Sequence, residues 1–257
     1  MPDPQATPQP VPGRFAEVRR LAETDSTNRE TLDAARAGAA DGLVVVADHQ
    51  RAGRGRLGRT WNAPPGASLL VSVLLRPGLS VEDRHQVVMA AAVAMAEAVS
   101  ATTGVDATLK WPNDLLVGDR KLAGILAETA GDAVVVGIGV NVDWPEIPDE
   151  LVGIATACNL EGGRPTTRAQ LLDAFLARYE TRLADLDATA VAYRARLGTI
   201  GRMVRVERAD GNLIGTATGV DPSGRLLVTT DDGTTEAIAA GDVVHLRAIE
   251  TDRGDPA

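Results

Sequence analysis

Three stretches of this sequence carry residue types suited to handling an anion. The first, Gln50 to Trp61, reads QRAGRGRLGRTW and sets Arg51, Arg54, Arg56 and Arg59 among glycines. A guanidinium is a planar fork that grips phosphate or carboxylate oxygens in pairs. Glycines let the backbone fold closely around such a group. The second stretch is Lys110-Trp111-Pro112-Asn113-Asp114, followed by Arg120-Lys121-Leu122-Ala123-Gly124. A hairpin over 114–121 would bring Asp114 and Lys121 together. They would form either an ordinary cross-strand ion pair or a carboxylate and an ammonium serving a metal and a phosphate. The third stretch, Gly137-Ile138-Gly139-Val140-Asn141, ends an apolar run. Paired glycines there either admit a ligand close to the backbone or mark a bulge.

The lysines are informative by their scarcity. Of 26 basic residues only Lys110 and Lys121 are lysine, and both fall in one 12-residue segment. Arginine elsewhere fits a GC-rich coding bias. An ammonium is a compact point charge that a guanidinium does not replace, so these two positions read as places where only lysine serves. Gly53 to Gly58 formally matches the dinucleotide fingerprint G-x-G-x-x-G. That motif must open a helix, and Trp61-Asn62-Ala63-Pro64-Pro65-Gly66 cannot be one. No Walker loop occurs.

The elements that must position these residues follow from periodicity. Thr27-Asn28-Arg29-Glu30 predicts a capping box opening a helix to about Ala37. Residues 43–47, 68–75, 107–110, 114–117, 121–128 and 133–141 read as strands. Val81 to about Ser100, Thr167 to about Asp185 and 189–197 read as helices. The helix over 167–185 carries Leu171, Leu172, Phe175, Leu176 and Tyr179 on one side. After Gly198, short strands over 203–208, 212–220, 225–230, 234–238 and 243–246 alternate with turn signals, the pattern of a small β-barrel. The expected organisation is a Pro-rich tail over 1–13, a larger domain of alternating helices and strands over 14–198, a small barrel over 199–248 and a polar tail over 249–257.

Composition bounds the rest. The net charge of −9 opposes a general nucleic-acid binder. One cysteine, Cys158, excludes an internal disulfide, and three scattered histidines do not make a metal centre. No run of about 18 apolar residues and no secretory signal are evident. The expectation is a cytoplasmic protein without a membrane segment.

Taken together and in order, Asp25-Ser26-Thr27-Asn28, Gln50 with GRGRLGRTW over 53–61, KWPNDL over 110–115, RKLAGIL over 120–126 and GIGVN over 137–141 resemble the biotin protein ligases. The resemblance runs from about residue 24 to 246. It implies an α+β fold: a mixed β-sheet catalytic domain flanked by helices, then an SH3-like barrel. It implies ATP-dependent formation of biotinyl-5′-AMP with release of pyrophosphate, then transfer of biotin to a lysine of a biotin carboxyl carrier domain. Ser26, Thr27, Asn28, Gln50, Gly53, Arg54, Trp61, Lys121 and Gly139 would bind biotin. Arg56, Arg59, Asn113, Asp114, Lys121 and Asn141 would serve ATP and the adenylate, with Arg56, Lys121 and Asp114 catalytic. Mg²⁺ would ride on the ATP phosphates, with Asp114 as the candidate protein ligand. Leu57 stands where some relatives carry a further Arg. Only about 20 residues precede the motifs, so no DNA-binding repressor domain is expected; a sheet-edge homodimer is compatible with the family. The rival within the superfamily is a lipoate or octanoate ligase or transferase, whose His-containing motif does not surround His49, His85 or His245.

Overall fold

A computed structural model describes residues 13–208, 211–239 and 242–245 of the 257. The tails expected over 1–13 and 249–257 lie outside the described residues, apart from Gly13. Twelve strands and four α-helices are seen among the described residues.

Seven strands form one sheet in the order β1-β2-β3-β7-β6-β5-β4. They are β1 (Val18–Thr24), β2 (Val44–Gln50), β3 (Ser68–Leu75), β4 (Thr108–Lys110), β5 (Asp114–Val117), β6 (Arg120–Ala130) and β7 (Ala133–Asn141). Only β1 and β2 run parallel, so the sheet is mixed as expected. Periodicity does not announce strand β1. Its run VRRLAET buries only its last residue, so it lacks the apolar alternation that marks a strand.

Helices cover both faces unequally. On one face lie α2 (His85–Thr103), α3 (Arg168–Ala184) and α4 (Leu186–Arg196). The predicted stripe of α3 is fully buried, and Tyr179 stacks between Phe15 and Phe175 at centroid distances of 5.6 and 5.1 Å. Helix α3 opens on a complete capping box at Thr167 and Gln170. Helix α2 starts at His85 rather than Val81, because Ser80 to Asp83 form a hydrogen-bonded turn. By length and mean composition its 19 residues would suffice to cross a membrane, although His85, Gln86 and Glu97 interrupt the apolar run. Packing accounts for that character: α2 is covered by the sheet beneath and by α3 and α4 alongside.

The opposite face carries only α1 (Thr27–Arg36) among the described helices, and α1 packs Leu32 and Ala35 on Leu43, Val45, Leu74 and Val135. The capping box predicted here does not form. Ser26 is the N-cap, and the Glu30 carboxylate instead accepts from the Thr24 hydroxyl at 2.7 Å. Thr27 is committed elsewhere, to Gln50.

The C-terminal strands β8 (Met203–Arg208), β9 (Gly211–Val220), β10 (Leu226–Thr229), β11 (Thr235–Ile238) and β12 (Asp242–His245) form an antiparallel sheet in the order β11-β10-β9-β8-β12. This is the small SH3-like unit. It is fastened to the larger sheet at one turn. The Trp111 backbone N–H donates to Thr199 Oγ1 and its indole N–H to the Gly224 carbonyl, both at 3.0 Å. The Gly198 N–H donates to the Leu109 carbonyl at 2.9 Å.

Candidate active site

The site lies on the α1 face, where side chains are missing from the sheet floor. Strands β6 and β7 pair Gly124 with Gly139 and Leu126 with Gly137. A Cβ on Gly137 would stand 2.0 Å from Asn28 Oδ1, and one on Gly139 would stand 2.5 Å from the Trp61 ring. These glycines are therefore required by close approach from above. Over this floor sits a cavity of about 120 Å³. It is lined by Ser26, Thr27, Asn28, Gln50, Arg54, Arg56, Arg59, Trp61, Asn113, Asp114, Lys121 and Gly139, twelve residues singled out from the sequence. Gly53 stands behind them; a Cβ there would meet the Trp61 carbonyl at 2.3 Å.

One end of the cavity is a hydrogen-bonding network. Gln50 Oε1 accepts from the Thr27 N–H at 2.8 Å and the Thr27 hydroxyl at 3.0 Å, which leaves its amide N–H groups for the cavity. Ser72, fully buried in β3, donates to Asn28 Oδ1 at 2.6 Å and lies 2.8 Å from Thr27 Oγ1. The Asn28 amide donates to the Leu126 carbonyl at 3.1 Å and to Glu128 Oε2 at 2.9 Å. Asn28 is thus fixed in orientation, with both kinds of polar atom already engaged. Glu128 Oε1 also pairs with Arg54 at 2.9 Å.

The other end is cationic. The hairpin predicted over 114–121 forms, and Lys121 Nζ lies 2.7 Å from Asp114 Oδ1. They are not directly opposed. Leu116 pairs with Lys121 and Leu115 with Ala123, leaving Leu122 as an extra residue. This bulge puts Leu122 and Ala123 together in the core and leaves Lys121 on the site face. There Lys121 stands 5.6 Å from the centre of the Trp61 ring. Arg56 reaches Asn113 Oδ1 at 3.3 Å.

The Arg-rich stretch is an ordered miniature hairpin, where the sequence suggested only a hinged loop. Arg54 bridges Thr60, the Gly55 N–H donates to the Arg59 carbonyl at 2.7 Å, and Trp61 N–H to Gly53 at 3.0 Å. Its tip is a single 3-10 turn over Arg56–Gly58, with Leu57 at φ 55° and 71% exposed. A branched residue in the left-handed region is strained.

A second cavity, of about 520 Å³ and mostly apolar, adjoins the first. The two share Arg59, Thr60, Trp61 and Lys121. Asn141 lines this second space, but its amide donates to the Thr156 carbonyl at 2.8 Å and accepts from Ser68 at 3.2 Å. Its visible work is to hold the wall. Trp144, whose indole N–H donates to Ser68 at 3.0 Å, forms another part of that wall. The wall is anchored to Lys121 itself, whose N–H donates to the Ile154 carbonyl at 2.7 Å and whose carbonyl accepts from Thr156 at 2.9 Å.

Sequence reasoning missed Ser72, Glu128 and Trp144. Ser72 was visible as a polar residue inside the buried run SLLVSVLL. Glu128 follows Gly124 by four residues on one strand and so faces the same way. No comparable signal marked Trp144.

Titration separates chemistry from structure. Burial pushes the Cys158 thiol up to about 11, so it is no nucleophile at neutral pH. Burial, with Lys110 and Arg202 nearby, pulls His245 down to about 4. Among the described residues, no cluster of three or more His, Cys, Asp or Glu could hold a metal.

The model of the biotin/lipoate A/B protein ligase family matches residues 21–143, and that of the biotin protein ligase C-terminal domain matches 199–246. The biotin–[acetyl-CoA-carboxylase] ligase of Mycobacterium tuberculosis is 40% identical over 238 residues, 88% of each chain. The chain belongs to the biotin protein ligases. The bifunctional ligase/repressor BirA of Bacillus subtilis is 32% identical over 220 residues, covering 81% of this chain and 68% of that one. The biotin protein ligase of Aquifex aeolicus, solved in complex with biotin and ATP, superposes with a TM-score of 0.80 at 29% identity, over 91% of this chain and all of that one. As a biotin protein ligase the chain is an enzyme, and its two sheets are the two parts that the family models match separately.

Proposed function

We propose that this ligase activates biotin with ATP and transfers it to a lysine of a biotin carboxyl carrier domain. The observation that carries the reading is the pair of adjoining cavities with Lys121 in their common wall. The first offers hydrogen-bonding groups at one end and cations at the other, which suits a neutral ureido ring and a carboxylate on one molecule. The second offers an apolar space for a purine.

In the first step a biotin carboxylate oxygen attacks the α-phosphorus of ATP. A new P–O bond forms, the bond to the bridging oxygen breaks, and pyrophosphate leaves. The obstacle is repulsion between an anion and a polyanion. Lys121, Arg56 and Arg59 offset it at the junction, and such fixed charge acts most strongly where water is excluded. In the second step the carrier amine attacks the acyl carbon, AMP departs, and the amine proton passes to solvent. No protein nucleophile is needed, which accords with the protonated thiol of Cys158.

Asp114 is the lining carboxylate at the cationic end and is held by Lys121. One carboxylate is a fitting donor set for Mg²⁺, which keeps most of its water and takes phosphate oxygens. When bound with ATP, Mg²⁺ supplies charge neutralisation of the phosphates. Ser26, Thr27 and Gln50 are assigned to the ureido ring, with Asn28 holding them in place. We divide the chain at 198/199 into catalytic and SH3-like domains and assign the reaction to the cytoplasm, where ATP is available.

The test is incubation with ATP, magnesium and labelled biotin, with and without a carrier domain. Pyrophosphate release that depends on biotin, and label on the carrier only when both substrates are present, are the expected results. Activity with lipoate in place of biotin would overturn the assignment.

A further inference from the structure

The outer wall of the second cavity is a segment with little core of its own. Leu151, Ile154 and Ala155 line the cavity from it. Among the described residues its buried apolar support is the small group of Ala67, Trp144 and Ala157. Val152 and Ile154 lie largely exposed. Polar contacts therefore decide where the wall stands, and they converge on Thr156. This residue is buried and commits every polar group it has. Its N–H donates to the Lys121 carbonyl at 2.9 Å, and its carbonyl accepts from the Asn141 amide at 2.8 Å. Its hydroxyl donates to Glu161 Oε1. The Glu161 side chain is only 10% exposed, and each of its oxygens lies 2.9 Å from Arg120 Nη2. Arg120 directly precedes Lys121 in the chain. One carboxylate thus ties the wall, through side chains, to the strand end that holds it through the backbone of Lys121.

We propose that Glu161 is a positioning residue for ATP, which sets the wall of the second cavity relative to Lys121 by holding the Thr156 hydroxyl and the Arg120 guanidinium together. The inference rests on the assignment of the second cavity to the nucleotide. Glu161 lines neither of the two adjoining cavities, so it acts through Thr156. Without the carboxylate the Thr156 hydroxyl is buried with no acceptor, and such a group favours any shift that brings it to water. That shift carries Ile154 and Ala155 with it, because they adjoin Thr156 in the chain. A bound purine holds the wall in place of the missing tie, so the loss falls on KM and is recovered at saturating nucleotide. The first cavity has a separate frame. Thr27, Asn28 and Gln50 are held by one another and by Ser72, Leu126 and Glu128. Nucleotide affinity therefore depends on Glu161 and biotin affinity does not.

Glu161→Ala removes both contacts, and Thr156→Val removes the hydroxyl alone. In pyrophosphate-release assays each should raise the KM for ATP at least fivefold, with kcat and the KM for biotin within twofold of the parent. Binding of α,β-methylene-ATP, whose bridging carbon cannot leave, should weaken at least fivefold in calorimetric titration. The double variant should bind it no more weakly than Glu161→Ala, since both changes break one tie. Thr156→Ser, which keeps the hydroxyl, should stay within twofold of the parent throughout. Thr156→Val leaves Glu161 paired with Arg120 and carries the test where loss of the buried carboxylate impairs folding. An unchanged KM for ATP in Thr156→Val, or an equal rise in both KM values, overturns the inference and leaves the site assignment intact. Absence of biotin-dependent pyrophosphate release from the unmodified enzyme overturns the site assignment and this inference with it.

Discussion

The ammonium of Lys121 lies 2.7 Å from the carboxylate of Asp114, with the Trp61 ring alongside. The carboxylate fixes the ammonium at the junction of the two cavities. Replacing Lys121 with Gln should therefore lower pyrophosphate release by about 10²- to 10³-fold, the usual scale for losing one fixed charge at a developing anion. Arg at this position should not restore it, because a planar fork does not reproduce the compact ammonium that lies against Gly124 and Asp114. Steady-state assays of both variants check this.

The glycine floor makes a sharper steric prediction. Gly137→Ala drives a methyl into the Asn28 amide, which is pinned by Ser72, Leu126 and Glu128. The expected cost is about 1–3 kcal/mol of stability together with weaker biotin binding. Gly131, at φ 62°, has no described atom within 4 Å of where an alanine methyl would stand, and Gly131→Ala should show only the backbone cost. Calorimetric titration with biotin and thermal melts separate the two.

Trp111 joins the SH3-like unit to the turn that carries Asn113 and Asp114. Trp111→Phe removes one donor and leaves the Gly224 carbonyl without it. We expect a loss of about 1–3 kcal/mol, read in denaturant melts, and a lower kcat because Asn113 and Asp114 follow directly. Ser68→Ala, which only frees Trp144 and Asn141, should instead raise the KM for ATP.

His245 gives a pH dependence with a definite sign. Its ordinary value is about 6.5, and burial lowers it to about 4 in the folded protein. The unfolded chain binds the proton more tightly, so this residue's contribution to stability is complete above about 6.5 and is lost as pH falls towards 4. His245→Gln, which can still meet the Thr199 hydroxyl, should flatten the melting temperature between about pH 7 and pH 5.

Scarcity of amines has its own consequence. An acyl adenylate reacts with neutral amines, and the chain offers Lys110, Lys121 and its amino terminus. Lys121 is engaged by Asp114 at 2.7 Å, and Lys110 is half-buried. Mass spectrometry after incubation with ATP and biotin should find no biotin on Lys121.

Much of the site was legible because its residues lie in short contiguous motifs. Arg54, Asp114, Lys121 and the glycines of β7 declare themselves by type and spacing, and Gln50 by the resemblance to the family. Glu128 and Ser72 did not, since each acts through a neighbour that only the sheet register brings near. The capping box failed for a related reason: Thr27 had a tertiary partner in Gln50 that outweighed the local one. Strand β1 was hidden because its exposed edge position leaves it without an apolar alternation.

The unpaired Leu122 in β6 lets two consecutive side chains, its own and that of Ala123, enter the same layer. Deleting it would restore plain alternation with Lys121 still on the site face, and would leave a hole in the core, while every residue from Ala123 onward kept its place. The surplus leucine thus adds apolar mass beneath the pocket without costing the ammonium its place.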